Sequence, residues 1–313
     1  MKSITAHMLA ATLTLSLTGC GGESSGGESP TPPPITTPIP TPAPTPATNY
    51  VTPDFQTDFK LSSSLGFSWT IDENSRFVSA YRFAPESRAY LDYFASPQAV
   101  NFLHENASVS FADADRIGSD PLSFQKTSDA MSFLIYNHMP KQYVAVATWK
   151  ARRAQANAVL AEHFWTALFG TPSASTDPLP DFLVYSGGAF LVGGAFGSNY
   201  EPGKYNAGDQ KVSWSYTPST DMLWGSIPFL VVRDGGQRQD GLLKADGKFD
   251  PTTNSISGSL NDPAAGLHGT FRGQMFGPDR ANLAIVFEFA RGSDGAKFFG
   301  YYLGARGFGE DGI

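Results

Sequence analysis

The sequence predicts a mainly β chain, a mixed but mostly β handle subdomain followed by an eight-stranded antiparallel β-barrel, on three observations. In the run G-T-F-R-G-Q-M-F-G-P at 269–278, Gly269, Phe271, Gly273 and Met275 occupy one set of alternate positions, and Thr270, Arg272 and Gln274 occupy the other. A period of two with one small or apolar face and one polar face marks a half-buried strand. The same split recurs upstream: Leu243, Ala245, Gly247 and Phe249 oppose Leu242, Lys244, Asp246 and Lys248, and beyond the turn at 251–254, Ile256, Gly258 and Leu260 oppose Ser257 and Ser259. Finally, the apolar run 283–289 and the aromatic run 298–303 flank R-G-S-D-G, a turn rich in residues that tolerate positive φ. Small residues alternating with large ones on the inner face suit a tapered barrel filled by side chains.

The remaining barrel strands read from Phe182 onward. L-V-Y-S-G-G-A-F-L-V-G-G comes first, then Val212, Trp214 and Tyr216 alternating with serines, a turn at 217–221, and Met222–Val232. A porin gives the same alternation. Three features favour a barrel in water: an anchor and stalk that an integral barrel would not need, an apolar face loaded with glycine, and a chain that ends G-F-G-E-D-G-I instead of in a closing aromatic strand.

Ahead of the barrel, Leu65–Trp69, Phe77–Phe83, Val109–Phe111, Met131–Tyr136 and Tyr143–Trp149 read as strands. Ala89–Phe94 fits more than one state, Gln98–His104 reads as one or two helical turns, and alanine-rich Ala151–Leu160 has favourable helix propensity but is short and lacks a convincing cap. Thr171–Pro180, with three prolines, reads as a connection. The expected division is 1–19 leader, 20–49 lipidated cysteine and stalk, 50–180 handle and 181–313 barrel.

The N-terminus speaks to location. Lys2, an apolar stretch at 8–17 and Leu17-Thr18-Gly19-Cys20 have the form of a bacterial lipoprotein signal, too short to span a bilayer. Cleavage before Cys20 leaves its sulfur to carry a diacylglyceryl group and a palmitate-type acyl anchor, each buried methylene adding roughly 0.8 kcal/mol of membrane affinity. Gly21, not an aspartate, follows, which agrees with the outer membrane. Residues 21–29 are rich in Gly and Ser, and 30–48 in Pro and Thr, a disordered linker whose second part favours a polyproline spacer of roughly 60 Å.

Composition narrows function. Cys20 is the only cysteine, so once acylated it leaves no thiol for disulfides, zinc–thiolate sites or a cysteine nucleophile. A net charge of −7 speaks against nucleic acid and against capture of anionic lipid by charge. Neither H-E-x-x-H nor a P-loop occurs, no metal site or cofactor is expected, and the chain reads as non-enzymatic.

Five histidines stand apart: His7, inside the leader, and His104, His138, His163 and His268. One of them with Tyr200 or Tyr205 has the ligand types for haem or iron, although an isolated histidine is more often a hydrogen-bonded surface residue. Asp246, Asp250 and Asn254 have calcium-loop residue types at turn-like spacing, and Asp113 and Asp115 suit a solvated loop. The loop residues Tyr200, Tyr205, Met222 and Trp224 are the binding candidates, because aromatic and Met side chains bury much area at little entropic cost. Trp224 as barrel core and the tyrosines as rim residues is the structural alternative.

The segment N-S-I-S-G-S-L, followed by G-T-F-R-G-Q-M-F-G-P-D-R-A-N-L-A-I-V-F, resembles the barrel of transferrin-binding protein B and related bacterial surface lipoproteins. Y-V-A-V-A-T-W-K, H-F-W-T-A-L-F-G-T-P and L-P-D-F-L-V-Y-S-G-G-A-F resemble the segment leading into it in the transferrin-binding protein-like solute-binding lipoproteins. Gly277, Pro278, Ala281, Leu283 and Phe287 fit the family pattern, and Arg280, Asn282 and Ile285 depart from it at a turn. The resemblance implies a handle and one barrel, an outer-membrane, cell-surface monomer held by its lipid, and a protein or an iron or haem carrier as ligand. The alternative is a structural or periplasm-facing envelope lipoprotein with no soluble ligand.

Overall fold

A computed structural model describes residues 48–119, 122–134, 142–154, 160–207, 212–233 and 236–307. The leader, Cys20 and the stalk to residue 47 lie outside the described residues. The first part carries β1 (Phe59–Ser63), β2 (Gly66–Asp72), β3 (Phe77–Arg82), β4 (Ala89–Ala95), β5 (Gln98–His104), β6 (Ala107–Phe111), β7 (Arg116–Ser119), β8 (Leu122–Gln125), β9 (Asp129–Leu134), β10 (Val144–Ala154) and β11 (Leu160–Gly170). Four of these form a small sheet in the order β1-β4-β5-β6, and seven form a larger one, β3-β2-β11-β10-β9-β8-β7, with every pairing antiparallel. Phe59, Leu91, Tyr93, Val100 and Phe102 of the small sheet share one buried cluster with Met131, Phe133, Ala147, Trp149 and Phe169 of the large one, so the two sheets pack face to face.

The second part carries β12 (Leu183–Gly194), β13 (Tyr205–Asn206), β14 (Val212–Thr217), β15 (Met222–Arg233), β16 (Gly236–Asp250), β17 (Ser255–Asp262), β18 (Leu267–Phe276), β19 (Asn282–Arg291) and β20 (Lys297–Arg306). Eight of them follow in the order β15-β14-β12-β20-β19-β18-β17-β16, and a β15–β16 pairing closes the ring, with short β13 added to β15. The alternation places the inward residues as the sequence predicts: Leu243, Ala245, Phe249, Ile256, Leu260, Phe271 and Met275 are buried in one interior cluster. Inner glycines make room for rings. A Cβ at Gly247 or Gly258 would stand 2.5 or 2.6 Å from the Phe271 ring, so Phe271 lies across two strands that carry no side chain there.

One expectation for the handle fails, and one segment left open is decided. Gln98–His104 is strand β5, because Val100, Phe102 and His104 turn inward while Asn101 and Leu103 face out, a period of two that the short segment hides. Ala151–Ala154 continues β10, with Ala151 opposite His163 and Ala154 opposite Leu160, so cross-strand pairing overrides alanine's helix preference. Residues 155–159 lie outside the described set. Ala89–Ala95 is also strand.

The runs at 283–289 and 298–303 lack alternation because both of their faces are buried. Leu283, Ile285, Phe287, Phe298 and Tyr302 point into the barrel. Ala284, Val286, Phe299, Tyr301 and Leu303 pack against Leu65, Phe67, Trp69, Val144, Val146 and Leu168 of the large sheet. Where the handle does not cover it, the barrel wall is mostly polar, through Ser213, Lys244, Asp246, Lys248 and Ser257.

Polar groups lock this seam. The Arg272 guanidinium donates to the carbonyls of Ser64 (2.5 Å) and Phe83, and Arg82 reaches Thr270 Oγ1 at 3.1 Å and Glu288 at 3.3 Å. Burial, reinforced by Arg82, disfavours the charge on Arg272, and the two carbonyls answer it. The departures from the family pattern also sit here or inside. Asn282 is fully buried and accepts from the Tyr143 backbone N–H at 2.7 Å. Arg280 is fully buried, its guanidinium 5.3 Å from the Phe249 ring centre and donating to the Asp177 carbonyl, and Ile285 is core. Gly277, at φ 74°, passes so close to Tyr143 that a Cβ would meet the ring at 2.4 Å.

Replacing Arg272 with Met keeps the stem and removes both carbonyl contacts. Bonds to a charged donor are worth about 1.5–3 kcal/mol each and partly overlap here, so urea unfolding should show a loss of roughly 2–4 kcal/mol.

Candidate functional site

A cleft of about 440 Å³ opens in the handle, lined by Tyr81, Trp149, Arg153, His163 and Trp165 of the large sheet and by residues 104–108 of the β5–β6 hairpin. Strand length accounts for it. β10 and β11 are eleven residues each, whereas the strands of the small sheet are five to seven, so the cover cannot follow the long hairpin over its whole length.

The sheet wall is a row of rings. Trp149 and Trp165 are direct cross-strand partners and stack with centroids 4.3 Å apart and planes 20° apart. His163, two residues before Trp165 on the same face, lies 5.9 Å beyond it at 25°. Phe164, between them, faces the other way and stacks on Trp69. Such pairs contribute about 0.5–1.5 kcal/mol beyond their area. Asp129 fixes the end of the row: it accepts the Trp149 indole N–H at 3.1 Å and both terminal nitrogens of Arg153, at 2.5 and 3.2 Å. The Arg153 guanidinium stands 5.9 Å from the Trp149 ring centre. Burial pushes the Asp129 carboxyl up, but the bonds from Arg153, Ser128 and Trp149 outweigh it and hold the group below the usual carboxylate range.

His104 is 1% exposed, stacks on Phe83 at 3.7 Å, and shares a 3.1 Å bond between Nε2 and Ser87 Oγ. Ser87 also donates to Glu105 at 3.2 Å. A carboxylate only accepts, so Ser87 gives its proton to Glu105, Nε2 carries the imidazole proton, and Nδ1 is a bare lone pair without a partner. Serine, histidine and acid are close, but the acid touches the serine and not the far imidazole nitrogen, the reverse of a hydrolytic triad. Glu105 sits at φ 53°, a left-handed position that costs a side-chain residue about 1 kcal/mol or more. His163 Nδ1 bonds Thr70 Oγ1 at 3.0 Å. Burial lowers the pKa of both histidines, Glu105 partly opposing this at His104 and Arg153 adding to it at His163, so both rings are neutral at pH 7.

Of the isolated histidines, the fold brings His104 and His163 to one cleft. His268 lies exposed on β18, and His7 and His138 fall outside the described residues. Among the described residues, no group of three His, Cys, Asp or Glu is placed to hold a metal.

The loop candidates do not converge. Tyr200 turns into the handle seam, its N–H donating to the Ser75 carbonyl and its ring 6.2 Å from Phe77. Tyr205 packs on Phe229 and Phe298 near one end of β15, while Met222 starts that strand at the other end. Trp224 stands on the outer barrel wall, 42% exposed and 6.3 Å from Phe182. Asp250 accepts from the N–H groups of Thr252 and Thr253, and Asn254 donates to the Met275 carbonyl, so both serve a turn. Asp113 and Asp115 belong to a short 3₁₀ turn.

The lowered histidine pKa values set a sign. The folded state binds fewer protons at His104 and His163 than the unfolded chain, whose imidazoles titrate near about 6.5. Their contribution is therefore intact above about pH 6.5 and is lost as the pH falls from there through the folded values. Urea unfolding followed from about pH 8 down to 5 should show a smaller pH slope in a His104→Gln, His163→Gln double variant than in the parent.

The sequence matches no protein-family model and no characterised protein at a significant level. Solved structures do overlap it. The isotype 1 transferrin binding protein B of serogroup B Neisseria meningitidis aligns over 78% of this chain and 44% of its own, at 11% identity and a TM-score of 0.40. The N-lobe of lactoferrin binding protein B from Moraxella bovis aligns over 56% of this chain and 79% of its own, at 10% identity and a TM-score of 0.36. A transferrin binding protein B double mutant from Haemophilus parasuis aligns over 74% and 59%, at 12% identity and a TM-score of 0.37. This chain thus spans under half of the Neisseria protein.

Proposed function

We propose that this chain is a non-enzymatic binding module, held at the outer membrane by acylated Cys20, raised on the 21–49 stalk, and engaging its ligand at the handle cleft. One observation carries the reading: the cleft is shaped before any ligand arrives. Its indoles are held by stacking and by Asp129, and its guanidinium by the same carboxylate, so little ordering remains to oppose binding. The Ser87, His104 and Glu105 arrangement fits this reading, since the acid touches the serine and not the far imidazole nitrogen, as a hydrolytic triad would require.

The solved proteins of similar fold are named for binding transferrin and lactoferrin, and for this chain we propose a protein or an iron or haem carrier as ligand, taken up by a monomer. Two measurements test the reading. Protease added to intact cells should remove the protein, and protection from it would instead indicate a periplasm-facing envelope lipoprotein. Haemin titrated into the purified chain should give a saturable, sharpened Soret band that His104→Ala or His163→Ala weakens if a haem carrier is the ligand. A flat titration discards haem and leaves protein recognition.

A further inference from the structure

The two walls of the handle cleft differ in chemistry. The sheet wall presents Tyr81, Trp165, His163 and Arg153, with buried Trp149 beside them, and the hairpin wall presents Glu105, Asn106 and Ser108, all three exposed. A flat aromatic ligand is best held between two rings. One aromatic wall facing a carboxylate, an amide and a hydroxyl complements a body with one C–H face and a rim of groups that both donate and accept. A pyranose ring is such a body.

We propose that this cleft binds the pyranose units of a saccharide, with the sugar's C–H face on Trp165 and Tyr81 and its hydroxyls on the hairpin. This rests on the binding-module reading and specifies its ligand. Glu105 accepts from sugar hydroxyls, while Asn106 and Ser108 both give and take. The charges agree: Arg153 is matched by Asp129, both imidazoles are neutral, and Glu105 would repel an anion, so the site favours a neutral sugar. Glu105 opens the two-residue turn between β5 and β6 with a left-handed backbone, and it lines the same cleft as the rings. Such a sugar comes either as a free oligosaccharide or as the glycan of a protein ligand.

The test uses the full chain in detergent. Maltotriose and N,N′,N″-triacetylchitotriose are titrated by calorimetry and tryptophan fluorescence, with 3′-sialyllactose as the anionic control expected to bind more weakly, desialylated fetuin before and after enzymatic deglycosylation as the glycoprotein arm, and riboflavin as the flat aromatic control. The expected result is saturable binding of at least one neutral trisaccharide, or of glycosylated but not deglycosylated fetuin. Affinity should fall at least tenfold in Trp165→Ala and in Glu105→Gln, stay near the parent value in Trp165→Phe, and be unchanged in Trp224→Ala on the barrel wall. Free sugar binding assigns the first source, and fetuin binding without it the second. Riboflavin or haemin bound at the cleft with no saccharide binding would overturn the saccharide assignment and leave the binding-module reading standing. Saccharide binding untouched by Trp165→Ala would overturn the assignment to this cleft. Binding of none of the probes, with near-ultraviolet circular dichroism showing the variants folded, would overturn the assignment outright.

Discussion

The structure depends on one wall buried from both sides. Strands β19 and β20 fill the barrel with alternate residues and carry the handle's large sheet on the others, so Phe287 and Val286, or Tyr302 and Tyr301, neighbours in sequence, belong to different cores. At about 25 cal/mol per Å² of buried apolar area, a strand covered on both faces is worth nearly twice one covered on a single face. The handle is therefore not an appendage on a finished barrel. Removing it would bare Ala284, Val286, Phe299, Tyr301 and Leu303 together, an apolar patch that a monomer in water does not sustain.

The seam has a cost that its polar contacts offset. Two arginines meet there, Arg82 and Arg272, partly withdrawn from water and close enough to disfavour one another. Glu288 and the carbonyls of Ser64 and Phe83 answer them, and since those carbonyls belong to the ends of handle strands, the contacts hold the large sheet in one orientation. That orientation leaves the opposite face of the sheet to the small sheet. The mismatch in strand length then leaves the end of the β10–β11 hairpin uncovered, with its row of rings in the gap.

The cleft exists because of what the fold does not cover. Trp149 and Trp165 would be ordinary core if the small sheet were longer. As it is, Trp149 is buried by its neighbours while Trp165 is half-exposed, and Asp129 supplies the buried indole N–H and the guanidinium with the acceptor they need. Around that frame, Ser87 hydrogen-bonds Glu105 and both imidazoles are neutral.

By itself the sequence determined the barrel. Its period of two, inner glycines and hairpin turns are local properties, and they placed Gly269–Met275, Leu243–Phe249 and Ile256–Leu260 on the correct faces because alternation is written in each strand separately. The composition also set the absence of thiols beyond Cys20. Tertiary structure alone decided the rest. Gln98–His104 and Ala151–Ala154 became strands because partners distant in the chain offered edges to pair with. Arg280 and Asn282, read as drift in a turn, proved to be interior contacts. The cleft itself unites Tyr81, His104, Trp149, His163 and Trp165 from four strands, and no spacing along the chain encodes that meeting, since it is set by strand order and by where the shorter sheet stops.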